Sequence, residues 1–365
     1  MSDGRRIVEA LVVGGGPAGS ATAMTLARGG AQVELIERQA GPHDVVCGGF
    51  LGWDALAALR RLGVDADGLG ARPIARLRLA SARRLVETRL PKPAAGLSRR
   101  RLDEALRNAA EESGAVVRRG LAARGGDPAS LIVRMEDGSE IQAGALFLAT
   151  GKHELRGLAR PLDQRRRGAV GLRAAFAPGP KVAAALDGVI ELHPFDGGYA
   201  GLLLQEDGQA NLCMSVSSEK LRRSGGVREL LEALARETAL LAERLEAAYD
   251  AAWISVGNVP YGWRASGCVP KLYRVGDQAA VIASLAGDGI AMALTSGMAA
   301  ADAYRRGETG DRFQRGWSAR AARPLRVAEG LRWAAETRLP RRLAMGAMGV
   351  APGLAGLAAR LTRIA

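Results

Sequence analysis

Aromatic residues make up only 4% of this 365-residue chain, and lysine is nearly missing: of 51 basic residues only Lys92, Lys152, Lys181, Lys220 and Lys271 are lysine. The net charge of +13 is carried by arginines spread along the whole chain. No stretch interleaves aromatic with basic side chains, so no nucleic-acid partner is expected. Histidine is as scarce. His43, His153 and His193 stand far apart without metal-ligand spacing, and no metal site is expected. The three cysteines, Cys47, Cys213 and Cys268, are an odd number at unrelated spacings. That excludes a disulfide framework and points to a reducing cytoplasm. Long hydrophobic runs are missing too. "MSDGRRIVEALVVGGG" places no apolar segment ahead of the first strand, so a signal peptide is not expected. The nearest approach to a membrane span is Leu343 to Ala359, 17 uncharged residues interrupted by Gly346, Gly349, Pro352, Gly353 and Gly356. It falls short of the roughly 20 apolar residues that a spanning helix needs. Two readings of it stay open: a helical cap on the protein's own core, or a peripheral contact with a membrane or a carrier.

A chain of this length, 48% hydrophobic, can bury a large core and is expected to form two lobes. Its sharpest signal is "LVVGGGPAGSATAMTLARGGAQVELIER", residues 11 to 38. Leu11, Val12 and Val13 form the kind of apolar run that becomes a buried parallel strand, and Gly14, Gly16 and Gly19 follow with G-x-G-x-x-G spacing. Gly14 allows the tight turn, Gly16 lets backbone approach a pyrophosphate, and Gly19 lets the helix close on the strand. The helix opens at Pro17 and Ala18 with its N–H groups aimed at the anion. Glu37 stands where a carboxylate can hold the ribose hydroxyls of an adenosine, followed by Arg38. An acid there argues against a 2′-phosphate and for FAD or NAD.

Further along, "DALAALRRL" (54 to 62) reads as an amphipathic helix and "IARLRLASARRLVETRLP" as a hairpin. Ser98 is an N-cap for a helix ending before Gly114. "VVRR", "LIVRM", the Asp137-Gly138 turn and "EIQAGALFLATG" suggest a small meander returning to a buried strand that ends at Ala149, Thr150 and Gly151. Residues 168 to 260 are strand-rich, with helix between Val227 and Tyr249. In 272 to 304 an apolar strand ends at Gly276-Asp277, and the loop Gly287-Asp288-Gly289 opens a helix at Ile290. The small residues Ala291, Ala293, Ser296 and Gly297 suit either a close ligand or close packing on a sheet.

Three of these stretches together resemble the FAD-dependent oxidoreductases of the para-hydroxybenzoate hydroxylase fold, in particular the branch of geranylgeranyl reductases. They are Gly14-x-Gly16-x-x-Gly19 with Ala23, Gly30 and Glu37; Arg99 with Leu102 and Asp103; and Gly276-Asp277 with Gly287-Asp288-Gly289-Ile290. The resemblance implies an α/β fold. A Rossmann-like FAD-binding domain of glutathione-reductase type (1–72, 98–160 and 266–310) would carry an inserted antiparallel-sheet substrate domain (73–97 and 161–265) and a helical C-terminus (311–365). It implies that Arg99 touches the flavin, that Asp277 binds its ribityl chain, and that the helix at Gly289 and Ile290 points at the pyrimidine edge, where reduction gathers negative charge. With one complete glycine motif, NAD(P)H is expected to dock only transiently as reductant. "VCGGFLG" is similar to the cysteine-glycine-glycine stretch that geranylgeranyl reductases place beside the flavin, which makes Cys47 and Gly48 cofactor-side residues and Cys47 a candidate for protonating or positioning substrate. A small buried residue in a tight turn is the competing reading.

The chain also departs from the family. "ATGKHELRG" puts Lys152 and His153 where hydroxylases of this fold carry Gly-x-Asp-Gly, and Gly201 stands where geranylgeranyl reductases and halogenases have tryptophan. Isoprenoid specificity therefore does not carry over, and halogenation ranks low. Candidate proton donors in "ELHPFDGGYAG" are His193, Asp196 and Tyr199. Three functions are in play. The first is a reductase delivering hydride to a double bond of a small apolar, isoprenoid- or polyketide-type substrate. The second is a monooxygenase working through a flavin C4a-hydroperoxide on an aromatic or enolic substrate. The third is a non-catalytic nucleotide- or membrane-binding protein.

Overall fold

The computed structural model describes residues 6–81, 84–162, 168–351 and 353–364, so Pro352 lies outside the described residues. The run Leu11 to Val13 ends a strand, Arg6–Val13, whose last four residues are buried. It pairs in parallel with Val33–Glu37 on one side and Glu140–Leu148 on the other. Val116–Arg119 adds a parallel strand beyond Val33–Glu37, and Leu272–Arg274 lies parallel to the end of Glu140–Leu148. The start of that same long strand pairs antiparallel with Ile132–Met135, which in turn pairs with Ala123–Asp127. Near-continuous buried runs such as Val33–Glu37 are what a parallel strand covered on both faces requires.

Two expectations change here. "VVRR" is the edge of the parallel sheet and no part of the meander, because its register runs against Glu34 to Glu37. The strand after Lys271 ends at Arg274, and the apolar residues that follow turn through Gly276 into a short 3-10 segment.

Among the described residues the second sheet has eight strands, running in the order Ile254–Val259, Ala169–Phe176, Ala210–Ser217, Gly198–Leu204, Val189–Phe195, Arg72–Ser81, Arg84–Gly96 and Phe50–Leu51. Phe50–Leu51, expected within the first domain, pairs here with Ala95 and Gly96. The outer face of this sheet is closed by helices Val227–Glu237 and Ala239–Leu245, whose buried leucines pack on Leu172, Leu202, Leu212 and Met214. Period-two alternation then sends Tyr199, Gly201, Asn211, Cys213 and Ser215 to the other face. Helix Gly310–Glu336 touches both Leu272–Arg274 and the hairpin of Val189–Phe195 with Gly198–Leu204, and so ties the two sheets together.

Candidate functional site

The glycine turn is built as a cradle. Gly14 has φ +108°, and a Cβ on it would lie 2.5 Å from the Ala149 carbonyl oxygen; one on Gly19 would lie 1.8 Å from the Gly14 oxygen. Only glycine fits at either place. Helix Pro17–Arg28 begins with no side-chain cap and no acid in its first turn, which leaves its first N–H groups for an anion. Glu37 receives the Gly15 N–H on Oε2 at 2.8 Å and the Gln39 N–H on Oε1 at 2.9 Å. Each oxygen keeps a lone pair that a ribose hydroxyl can use. Arg38 donates to His153 Nε2 at 3.0 Å, and burial together with Arg38 and Lys152 holds His153 below the usual histidine range. Arg107, which sequence reasoning missed, runs beneath the turn, 1% exposed, and donates to the Gly15 oxygen at 3.3 Å.

Arg99 makes two bonds to Asp103, at 2.8 and 2.7 Å, one helical turn away. Burial opposes its charge, but Asp103 outweighs burial, and the Cys47 thiol is among the groups acting on it. A Cβ on Gly16 would meet Arg99 Nη2 at 3.4 Å. Arg99 thus spans from the phosphate turn to Cys47. Asn211 of the second sheet donates to the carbonyls of Cys47 (3.2 Å) and Gly48 (2.8 Å), while Arg173 bonds Asn211 at 2.7 Å and Asp44 at 3.0 Å. The Cys47 loop is therefore held from both lobes. A polar side chain inside a largely apolar strand, Arg173 in one and Asn211 in its neighbour, was the available signal.

Asp277 pairs with Lys152 Nζ at 2.9 Å, and its backbone oxygen takes Arg160 Nη1 at 2.9 Å. Burial works against the Asp277 charge, yet Lys152 holds it below the usual carboxylate range. Lys152, noted from sequence only as a departure, is the cation paired with the Asp277 carboxylate. Gly276 (φ +59°) receives no side chain of its own but donates its N–H to Ser296 Oγ at 2.8 Å. Gly151 and His153 carbonyls both accept from Gln278 at 3.0 Å. The stripe Ala291, Ala293, Ser296, Gly297 is explained by helix packing: a Cβ on Gly297 would lie 2.3 Å from the Ala18 oxygen.

Gly287 (φ +67°) turns against Phe50, and helix Gly289–Arg305 starts without a side-chain cap. Asp288 turns away from that terminus. It is fully buried and pairs with Arg363 Nη1 at 2.6 Å, and burial pushes its pKa up to about 6. The first amides beyond it, at Gly289 and Ile290, are free of side-chain caps and suited to the electron-rich edge of a reduced flavin.

Tyr199, 5% exposed, donates to Ser284 Oγ at 2.5 Å, and Tyr261 bonds the same oxygen at 2.6 Å. Burial, with Tyr261 and Cys213, pushes the Tyr199 phenol well above its ordinary range, and burial pushes the Cys213 thiol up to about 12. Lys152 acts on both Cys47 and Tyr261. Cys47, Lys152, Asp277, Tyr199, Ser284 and Tyr261 thus belong to one neighbourhood. Ser284 and Tyr261 carried no motif.

His193 is not brought there. It pairs across the sheet with Ala200, so its ring lies on the face opposite Tyr199, where Nε2 bonds Glu191 Oε1 at 2.7 Å. Asp196 is 56% exposed on its side chain and pairs with Arg341. His43 Nδ1 lies 3.4 Å from the Gly41 oxygen of its own loop. Among the described residues no group of His, Cys, Asp and Glu could hold a metal.

The cradle at Gly14 to Gly19, the Glu37 carboxylate and two uncapped helix termini fit FAD in its donor set. The comparisons with known proteins agree. Residues 7–155 match the family model described as FAD binding domain. A menaquinone reductase of Mycobacterium tuberculosis (strain CDC 1551 / Oshkosh) is 29% identical over 320 residues, covering 80% of this chain and 76% of the relative. Among solved structures, the geranylgeranyl bacteriochlorophyll reductase-like protein Ta0516 of Thermoplasma acidophilum superposes with a TM-score of 0.76 at 20% identity, covering 99% of this chain and 94% of that one. The flavin-dependent brominase Bmp2 does so at 0.74 and 14%, covering 98% and 93%. A shared fold with a reductase-like protein and a brominase leaves the reaction to the site itself.

Proposed function

We propose that this chain, whose residues 7–155 match an FAD binding domain, is an FAD-dependent reductase of the para-hydroxybenzoate hydroxylase fold that saturates a carbon–carbon double bond of an apolar quinone or isoprenoid-type substrate, with NAD(P)H as reductant. The residues of the glycine turn, Glu37 and Arg99 would hold FAD, which when bound would supply the hydride chemistry between the nicotinamide and an alkene carbon. The chain's own residues do the rest. The uncapped amides at Gly289 and Ile290 offset the negative charge that reduction leaves. Arg99 and the Gly14 to Gly19 turn fix the pyrophosphate side, and Lys152 with Asp277 fixes the side toward the substrate. Tyr199 gives the proton to the second carbon and is recharged through Ser284 and Tyr261.

The observation that carries this reading is the hydrogen-bonded row from Tyr199 through Ser284 to the half-buried Tyr261, beside the loop that opens the Gly289 helix. The Tyr199 phenol carries a proton to give, the role that double-bond reduction requires; burial makes it a weaker acid, so the charge developing on the second carbon drives the transfer. The 29% match to a menaquinone reductase favours a polyprenyl quinone as the substrate class. The test is anaerobic incubation of the holoenzyme with NADH or NADPH and menaquinone, read by mass spectrometry. The expected product gains two hydrogen atoms on the side chain with the quinone ring unchanged after air oxidation. A product that gains oxygen, formed only aerobically, would make the protein a monooxygenase.

A further inference from the structure

The last two helices, Arg338–Val350 and Gly353–Leu361, meet at a bend of 119°, and among the described residues no single helix is long and apolar enough to cross a membrane. Each has two unlike faces. In the first, Met345 is buried, whereas Leu339, Leu343 and Val350 are 66, 67 and 90% exposed. At about 100° a residue these three fall within roughly 40° of one another. In the second, Ala355 is buried and Leu354, Leu357 and Leu361 are exposed, within roughly 60°. Six of the ten exposed large hydrophobic side chains among the described residues lie on these two helices. Scattered exposed leucines are ordinary; a concentration of this kind marks an interaction surface.

The charge that the segment itself carries has one sign. From Thr337 to Ala365 the chain has no aspartate or glutamate. Arg341 is taken by Asp196 and Arg363 by Asp288, but Arg338, Arg342 and Arg360 stand exposed on the segment. A two-fold contact with a second copy would set this positive rim against itself. Apolar side chains flanked by exposed arginines match the layering of an anionic bilayer, acyl chains below and phosphates above.

We propose that these helices are a docking surface for an anionic phospholipid membrane, lying in the headgroup plane with Leu343, Val350 and Leu357 reaching the acyl region. The segment is also tied to the site. Arg363 pairs with Asp288 at 2.6 Å, reaches Asp54 at 3.8 Å and lies 4.2 Å over the Trp53 ring. Docking therefore holds the Gly287 to Gly289 loop on the membrane side of the molecule.

The test is sedimentation of the FAD-loaded full chain with sucrose-filled vesicles of phosphatidylcholine alone, or of phosphatidylcholine with phosphatidylglycerol. The protein is expected to pellet with the anionic vesicles at least about tenfold more strongly than with the neutral ones, and raised salt should reverse this. Leu343→Asp with Val350→Asp should abolish pelleting. Arg338→Glu, Arg342→Glu and Arg360→Glu together should weaken it by about a hundredfold, with the flavin spectrum unchanged in both variants. If the apolar variant loses FAD, the arginine variant decides alone. Three results would overturn the proposal: no pelleting of the wild type with either vesicle, pelleting that both variants retain, or a wild-type dimer that the apolar variant turns into a monomer while neither binds vesicles. The readout is independent of turnover, so it stands or falls apart from the reaction proposed above.

Discussion

The Glu191 carboxylate is fully buried and receives Arg78 at 2.7 Å, His193 at 2.7 Å and Arg244 at 3.0 Å. Burial opposes its charge, yet these three donors hold its pKa down to about 2. Its folded value lies below the ordinary 4.5, so its contribution to stability is complete above pH 4.5 and is lost as pH falls from there toward 2. Glu191→Gln should cost about 3–5 kcal/mol at neutral pH, because Arg78 and Arg244 would be left facing a neutral amide. His193→Phe should lower Tm and leave turnover within about twofold, a comparison that separates an anchoring from a catalytic histidine. Tyr199→Phe should do the reverse, losing about a hundredfold or more in kcat with little change in Tm. Asp288 has the opposite sign to Glu191. Its pKa, raised from 3.8 to about 6, means that the folded state holds the proton longer, so this group withdraws stability as pH rises from about 4 to 6. Asp288→Asn, compared with wild type by thermal melts across that window, should gain relative stability with rising pH, on the order of 2–3 kcal/mol in all.

At the scale of elements, the contact between helices Pro17–Arg28 and Gly289–Arg305 decides where the two uncapped termini point. Gly297 is its closest point, since its Cβ would fall 2.3 Å from the Ala18 oxygen and 2.9 Å from Thr22 Oγ1. Backbone cannot give way there as a side chain can. Gly297→Ala should therefore cost about 2 kcal/mol and weaken FAD binding by about tenfold or more, read by unfolding and by flavin release. Much of this layer was legible. The strand, glycine turn, helix and acid of residues 11 to 38 follow from local rules, as does the Ser98 cap, whose hydroxyl accepts the Arg101 N–H at 3.2 Å. The separation of His193 from Tyr199 was legible in principle, because residues six apart share a strand face only if no turn intervenes. Here the Asp196-Gly197 turn reverses the chain, and the hairpin register pairs His193 with Ala200. What pairwise spacing could not supply was the partner of Asp277. Lys152 lies 125 residues away, and only the parallel pairing of Leu272–Arg274 with Leu146 to Leu148 brings them together.

Across the whole molecule, the second sheet is bound to the loop that follows the glycine-turn strands. Through Asn211 and Arg173 it grips the loop of Asp44, Cys47 and Gly48, so that loop and the second sheet are assembled together. Asn211→Leu removes both donors to that loop. It should raise KM for the apolar substrate and loosen FAD, while Cys47→Ala alone, if the cysteine only fills its turn, should change neither by more than about threefold. The C-terminal helices, read from sequence as either a cap or a membrane contact, in fact combine a buried face with an exposed one. Composition could not tell these apart, because the same leucines and alanines serve both.

The most direct test of the reductase account is rapid mixing, without oxygen, of the dithionite-reduced holoenzyme with menaquinone, following the oxidised flavin absorbance. Reduction of a double bond should return that absorbance at a rate that rises and saturates with menaquinone, the quenched product should carry two more hydrogen atoms on its side chain with the ring recovered as quinone after air oxidation, and Tyr199→Phe should slow both by about a hundredfold. A spectrum that stays reduced until oxygen is admitted, with the wild type and the variant behaving alike, would contradict it.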